Sequence, residues 1–217
     1  MQSPKKRWSA PSTDKGFSLP EVLVAGTITL LLLGLITQFL IPAMRYSAEG
    51  NMKVDLQQRA ILAINRLVSD LQRTNATGVT LALTSPVTVG IVRIEKIGSD
   101  GFPSWDDEMQ VYWYDDVRKE LHWETYPPTP PSVPVTFTSA RPAIITPSDL
   151  QSIAIQTGGS EHTLARDVTS FSVEDADPDP GIKGLLRIDL TLEKEIPHTA
   201  RKATVEMTRF VQLRNAP

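Results

Sequence analysis

The longest apolar run of the chain carries no charge and extends from Val22 to Ile41. A helix of these 20 residues would rise about 30 Å, which matches the hydrocarbon core of a bilayer. Because the cores of soluble proteins rarely contain so long an uncharged run, the pattern favours a membrane-spanning helix over a buried one. A cleaved secretory signal is disfavoured, since the run is too long and no small-x-small cleavage site follows it.

Basic residues precede the apolar run, at Lys5, Lys6, Arg7 and Lys15. Positive charge stays on the cytoplasmic side of a membrane, so the pattern predicts a single-pass protein with a cytoplasmic N-terminus. The rest of the chain would then lie on the opposite side of the membrane.

Beyond the run, apolar residues recur every three or four positions, at Leu56, Ala60, Ile64, Leu67 and Leu71. This period predicts an amphipathic helix over residues 46–74, with a stop at residues 75–78. Pro42 is predicted to kink one long helix, and a complete break at this proline is the alternative. For most charged residues off the apolar stripe we expect plain solvation, with contacts to other subunits as the alternative.

The second half of the chain is predicted to be rich in β-strands. Within Leu185–Glu193, apolar Ile188, Leu190 and Leu192 alternate with polar residues, which is the period of a half-buried strand. Antiparallel pairing is favoured because no helices are predicted between the strands. Turns are expected at Asp100-Gly101, Asp115-Asp116 and Gly158-Gly159. The predicted strands are Val87–Glu95, Met109–Asp115, Leu150–Gln156, Val168–Glu174, Leu185–Glu193 and Ala203–Leu213.

Prolines interrupt the β pattern between residues 127 and 147, where seven of them occur. This density predicts a loop or extended insert rather than a strand, and a proline-rich recognition segment is the less favoured alternative. The patterns combined predict an α+β fold. A long N-terminal α-helix, half transmembrane and half amphipathic, would pack on a C-terminal antiparallel β-rich head.

The composition argues against several kinds of site. Cysteine is absent, which excludes disulfides, zinc–thiolate sites and cysteine nucleophiles. His122, His162 and His198 are too far apart in sequence to indicate a metal site. The net charge of −3 and the scattered basic residues give no footprint for nucleic acid. His122 has no obvious acidic partner and no catalytic constellation is visible, so we expect neither an enzyme nor a cofactor.

Two clusters of residues have alternative interpretations. Asp175, Asp177 and Asp179 alternate, and their carboxylates could bind calcium. The run departs from the pattern of a calcium-binding loop, so a solvated acidic turn is favoured. The tryptophans and tyrosines within residues 105–126 are expected in the core or as cross-strand pairs, and a surface for partners or sugars is the alternative.

The segment from Lys15 to Ala25, KGFSLPEVLVA, resembles the prepilin cleavage and methylation motif. In type IV pilin-like proteins a basic leader ends in glycine, a membrane peptidase cuts after it, and the new N-terminal residue is methylated. The resemblance places the cut between Gly16 and Phe17 and the methyl group on Phe17. It gives Glu21, the fifth mature residue, a role in assembly, because its carboxylate can pair with the Phe17 amine of a neighbouring subunit.

The head is most similar to the J-type minor pseudopilins of type II secretion and to the W-type minor pilins. The stretch Leu164–Val173 is similar to a segment those heads carry before their last two strands, and Met109–Asp115 followed by Leu121 resembles their central hairpin. The resemblance implies a precursor in the inner membrane with a periplasmic or extracellular head. Its implied partners are prepilin peptidase, other pilins or pseudopilins, the inner-membrane assembly platform and membrane lipid.

These expectations define one organisation of the chain. Residues 1–16 form the leader, 17–45 the transmembrane and assembly helix, 46–77 the helix that packs on the head, and 78–217 the head. The predicted function is that of a minor subunit of a type IV pilus or type II secretion filament. The alternatives are a major pilus subunit and a membrane-anchored binding module, such as a surface receptor, that does not polymerise.

Overall fold

The computed structural model describes residues 16–126, 135–143, 145–156, 161–176, 184–197 and 201–214. These residues contain helix α1 (Leu19–Leu71) and helix α2 (Pro147–Gln156). The strands are β1 (Val79–Ala82), β2 (Thr88–Ile97), β3 (Pro103–Asp115), β4 (Glu120–Tyr126), β5 (His162–Arg166), β6 (Val168–Asp175), β7 (Leu185–Glu195) and β8 (Lys202–Gln212). The chain divides into two compact units, Met1–Ser47 and Ala48–Pro217. The predicted α+β class, with a long N-terminal helix and antiparallel sheets, is confirmed.

Helix α1 passes through Pro42 without a break, so the alternative of a complete break at this proline is wrong. The helix ends at Leu71, three residues before the predicted end at residue 74. The backbone after Leu71 turns to bond with β2 instead. The Ile94 amide donates to the Arg73 carbonyl at 2.7 Å, and the Thr74 hydroxyl donates to the Val92 carbonyl at 2.6 Å.

The predicted stop at residues 75–78 forms a short 3-10 helix, Ala76–Gly78. The Asn75 side chain caps it by accepting hydrogen bonds from the amides of Thr77 and Gly78 at 3.0 and 3.3 Å. Gly78 has no space for a side chain, because an added Cβ would lie 2.7 Å from the Val92 carbonyl oxygen. This close approach of the backbone to β2 explains why glycine occupies the position.

The first sheet contains five antiparallel strands in the order β1-β2-β3-β4-β5. Strand β3 has buried side chains on both of its faces. Met109, Val111 and Trp113 point to one apolar cluster, while Tyr112 and Tyr114 point to the other. The sheet is therefore a middle layer with packing on each side.

The second sheet contains three antiparallel strands in the order β6-β7-β8. The chain passes from the first sheet to the second at Asp167, which adopts a positive φ of 63° between β5 and β6. The predicted alternation in β7 is confirmed, since Ile188, Leu190 and Leu192 are buried. One face of this sheet thus belongs to the core and the other faces solvent.

The main core lies between the later part of α1 and both sheets. Its helical members are Leu56, Ala60, Ala63, Ile64, Leu67 and Leu71. A second core fills the opposite face of the first sheet, where α2 contributes Leu150, Ile153 and Ala154 and the preceding segment contributes Ala143 and Ile145. Helix α1 and α2 therefore cover opposite faces of the first sheet.

The prediction of a strand at Leu150–Gln156 is wrong, because these residues belong to α2. The helix is started by Thr146, whose hydroxyl accepts a hydrogen bond from the Asp149 amide at 3.2 Å and donates to the Asp149 carboxylate at 2.7 Å. Pro147 stands at the first helical position, where its missing N–H is not needed. The predicted turn at Gly158-Gly159 and most of the prolines between residues 127 and 147 lie outside the described residues.

Candidate functional site

The N-terminus of α1 is capped by the Glu21 carboxylate, which bonds to Ser18. The Glu21 Oε2 atom accepts hydrogen bonds from the Ser18 amide at 2.9 Å and from the Ser18 hydroxyl at 2.8 Å. Ser18 precedes the first helical residue and Glu21 is the third, so the pair follows the S-x-x-E pattern of a capping box. Among the described residues nothing donates a hydrogen bond to Glu21 Oε1. The sequence carried this signal, and the sequence-based prediction did not use it.

The predicted cleavage site lies immediately before this cap. Gly16 and Phe17 are exposed and outside the helix. The backbone hydrogen bonds of the first turn begin at the Ser18 carbonyl, which accepts from the amides of Glu21 and Val22. With respect to the residues that the structure describes, the Gly16–Phe17 bond is therefore exposed, and it is not part of the helical ladder.

The apolar run Val22–Ile41 is exposed along its whole length. Among the described helices, α1 is the one whose length and composition would allow it to cross a membrane. Its threonines are also suited to an apolar medium, because the hydroxyls of Thr27, Thr29 and Thr37 donate to backbone carbonyls of their own helix at 2.8–2.9 Å. The run therefore leaves a long apolar surface to be covered by lipid or by other helices.

The later part of α1 has an outward face without charge, which we call the uncharged strip. Its members are Val54, Gln57, Gln58, Ile61, Leu62, Asn65 and Ser69, all of them exposed. Leu62 retains 69 % of its surface and Val54 51 %. The outward face of a solvated helix usually carries charged residues, so this strip differs from a face adapted to water.

One charged residue of α1, Arg59, instead turns toward the head. The expectation of plain solvation is wrong for Arg59, which is half-buried and forms ion pairs with Asp55 at 2.8 Å and with Asp167 at 3.3 Å. Lys194 also lies 3.7 Å from the Asp167 carboxylate. These contacts tie α1 to the point where the chain passes from one sheet to the other.

A buried carboxylate joins the end of α1 to the centre of the first sheet. Asp70 is 3 % exposed and accepts a hydrogen bond from the Tyr112 hydroxyl. The guanidinium groups of Arg66 and Arg93 lie 3.6 and 3.9 Å from it. Burial, followed by the charge of Asp70, raises the pKa of Tyr112 far above its ordinary value. Tyr112 thus stays protonated and acts as a fixed donor to the carboxylate.

The aromatic cluster in residues 105–126 belongs mainly to the core, as expected. Trp105, Trp113, Tyr112 and Tyr126 are buried, and Trp123 is half-buried. The Arg66 guanidinium lies 4.5 Å from the centre of the Trp123 ring. Cation–π contact of this kind adds a further link between α1 and the sheet.

The expectation that His122 has no acidic partner is wrong. Its Nε2 atom lies 3.4 Å from the Glu120 carboxylate, and the ring stacks on Trp113 with 5.3 Å between ring centres. Residues two apart on a strand share a face, so the acidic partner was present in the sequence.

The candidate calcium ligands are not brought into a metal site by the described residues. Asp175 ends β6, while Asp177 and Asp179 lie outside the described residues. Within the described ranges no group of three or more histidine, aspartate or glutamate side chains could hold a metal ion.

Comparison of the chain with protein-family models, with curated proteins and with solved structures finds no match in any of the three. Inference about function therefore rests on the chain's own residues and their geometry.

Proposed function

We propose that this protein is a minor pilin or pseudopilin, an inner-membrane precursor that is cut between Gly16 and Phe17 and joins a filament through α1. The observation that carries the proposal is the order of features along one helix. An accessible Gly-Phe bond is followed by a carboxylate at the helix start, by an exposed apolar run and by a helix packed on a β-rich head.

The cap at Glu21 supports an assembly role for this residue. The hydrogen bonds from Ser18 hold the carboxylate through Oε2 and leave Oε1 available. In the proposed filament, Oε1 accepts from the methylated amine of a neighbouring subunit's first residue. A carboxylate in an apolar helix bundle needs such a partner, because an unpaired one is costly to bury.

The uncharged strip supports packing of the later part of α1 against other helices. Ile61 and Leu62 would be buried by a neighbouring helix, and the amide side chains of Gln58 and Asn65 can bond across the interface. No charged group of the strip would have to be desolvated.

The competing function is a membrane-anchored binding module that does not polymerise. One observation favours it, since the hydrogen bonds from Ser18 already give Glu21 a role within its own chain. A substitution that separates capping from charge distinguishes the two functions.

The experiment expresses the full chain with a prepilin peptidase and the other filament subunits, and compares Glu21→Gln with Ser18→Ala. Glutamine keeps an acceptor for the Ser18 amide but loses the charge, whereas Ser18→Ala loses one capping bond and keeps the charge. We expect both variants to mature to methylated Phe17 by intact mass. Glu21→Gln should be lost from sheared filaments, and Ser18→Ala should be retained.

Filaments that contain Glu21→Gln at the wild-type level would exclude a role for its charge in assembly. A chain that still begins at Met1 in the presence of the peptidase, or one cut near residue 43, would overturn the pilin class itself. The anchored module would then be the remaining function.

A further inference from the structure

The head contains a pocket whose lining includes no residue of the predicted cleavage site, of the apolar run or of the uncharged strip. It lies between the turn that joins β3 to β4 and the C-terminal part of α2, and its volume is about 320 Å³. This is at the lower end of the range for small-ligand sites, which is roughly 300–1,000 Å³. Its size suits one side chain or a compact ligand.

The pocket has an apolar wall and an acidic rim. Trp113, Pro86, Ala154 and Ile155 form the wall. Among the described residues, the rim carries the acidic side chains of Asp115, Asp116 and Glu161 and the basic side chain of Arg118, so three carboxyl groups face one guanidinium.

The one cation of this rim is already engaged. The Arg118 guanidinium lies 3.7 Å from the Asp115 carboxylate and 3.4 Å from that of Glu161. Asp116 is exposed, and no described side chain forms an ion pair with it. The rim therefore attracts a cation and would repel an anionic ligand.

A buried ring nitrogen lies beside this rim and lacks a partner. His122 lines the pocket, is 2 % exposed, and its Nδ1 atom has no hydrogen-bond partner in the described part of the chain. The Glu120 carboxylate lies 3.4 Å from Nε2, so a ring that carries its single proton on Nε2 would face this carboxylate with its donor. Nδ1 is then an acceptor, and a buried acceptor without a donor is unfavourable until a ligand supplies one.

We propose that this pocket binds a primary ammonium group on an alkyl chain, presented by a lysine side chain of a partner protein. An ammonium group has three donors and no acceptor, which matches His122 Nδ1 and the carboxylates of Asp116 and Glu161. The methylene stem of lysine packs on apolar surface while its head remains polar, which matches the wall formed by Trp113 and Ile155. A metal ion fits less well, because within the described residues no set of three ligands is assembled.

The test titrates the full chain in detergent micelles with n-butylammonium chloride, and with sodium butyrate at equal ionic strength. The readout is the ¹⁵N resonance of His122 Nδ1, which is practical because the chain has three histidines. We expect a saturable shift with n-butylammonium and none with butyrate. Methylammonium should bind at least about tenfold more weakly, because it lacks the methylenes that contact the apolar wall.

A matched pair of variants distinguishes binding in the pocket from a general attraction of the cation to the negatively charged protein. Asp116→Asn should weaken the binding of n-butylammonium about tenfold, since it removes a charged acceptor. Asp107→Asn makes the same charge change at an exposed position that does not line the pocket, and should leave binding unchanged. Equal weakening by both variants, or no saturable shift, would overturn the proposal.

The source of the ammonium group is resolved by a second titration with an acetylated and amidated Gly-Lys-Gly tripeptide. Binding at least as tight as that of n-butylammonium, with none by the Gly-Gln-Gly analogue, supports a lysine of a partner protein. Binding of the free amine alone would overturn that part of the proposal and identify a site for small amines.

Discussion

Replacing Tyr112 with phenylalanine removes the hydroxyl that donates to the buried Asp70 carboxylate and changes nothing else in the side chain. A hydrogen bond to a charged group contributes about 1.5–3 kcal/mol to stability. Arg66 and Arg93 do not replace this donor, because they lie 3.6 and 3.9 Å away, beyond the usual distance for a charge-assisted hydrogen bond. We therefore expect Tyr112→Phe to lower the free energy of unfolding by about 2 kcal/mol.

The neighbouring Tyr114 provides a matched control. Its hydroxyl donates to the uncharged Val168 carbonyl at 3.2 Å, and the residue is half-buried. Tyr114→Phe makes the same chemical change and should cost only about 0.5–1 kcal/mol. Urea unfolding of the full chain in micelles, followed by circular dichroism, measures both. A loss for Tyr112→Phe equal to or smaller than that for Tyr114→Phe would show that the Asp70 contact does not anchor the helix.

The raised pKa of Tyr112 adds a dependence on pH to the same comparison. The folded state keeps the phenolic proton, whereas the unfolded chain loses it near pH 10.0, the ordinary value for tyrosine. Stability from this group is complete below that pH and is lost as the pH rises above it. The stability difference between wild type and Tyr112→Phe should therefore shrink between about pH 9 and pH 11. A constant difference across this range would contradict the assignment.

Two further predictions concern the uncharged strip and the short 3-10 helix that follows α1. Leu62→Glu should change the free energy of unfolding by no more than about 0.5 kcal/mol from the wild-type value and should exclude the protein from sheared filaments. The control variant Val117→Glu, at an exposed turn of the head, should be incorporated into filaments normally. Gly78→Ala should lower the free energy of unfolding by about 1–3 kcal/mol, because the added Cβ would lie against the Val92 carbonyl. The control Gly50→Ala, in open space on α1, should be neutral or slightly stabilising. Equal effects of the two substitutions in urea unfolding would contradict the close approach at Gly78.

The strands of the second sheet could be predicted because each has one buried face. In β7 the buried and outward residues alternate, so the sequence of Leu185–Glu193 indicated a strand, and the structure extends it by two residues to Glu195. The helical stripe of α1 was similarly readable, since Leu56, Ala60 and Ile64 recur with the period of a helix.

The error at α2 has a physical origin. Leu150, Ile153 and Ala154 all pack on one face of the first sheet, and a short apolar run fits a strand or a buried helix equally well by its periodicity. The sequence Thr146-Pro147, followed by Asp149, is typical of a helix N-terminus and distinguishes the two possibilities. The residues at the helix N-terminus therefore distinguish the helix from a strand, whereas the apolar residues alone do not.

Contacts between distant residues could not be predicted from one sequence. Tyr112 is 42 positions from Asp70, so no local pattern indicates that the carboxylate of an amphipathic helix is buried against a strand. The pocket beside His122 likewise requires α2 to lie over the β3–β4 turn, and the sequence-based assignment of a strand there hid it.

The junction between α1 and the first sheet determines how the head would respond to tension. Asp70, Arg73 and Thr74 bond to Tyr112, Ile94 and Val92, which lie on the second and third strands of a five-stranded sheet. Because these three residues lie within positions 70–74, a pull on the helix would load their bonds together. In the proposed filament, a subunit held by its helix would therefore transmit force to the middle strands of the sheet and not to its edge.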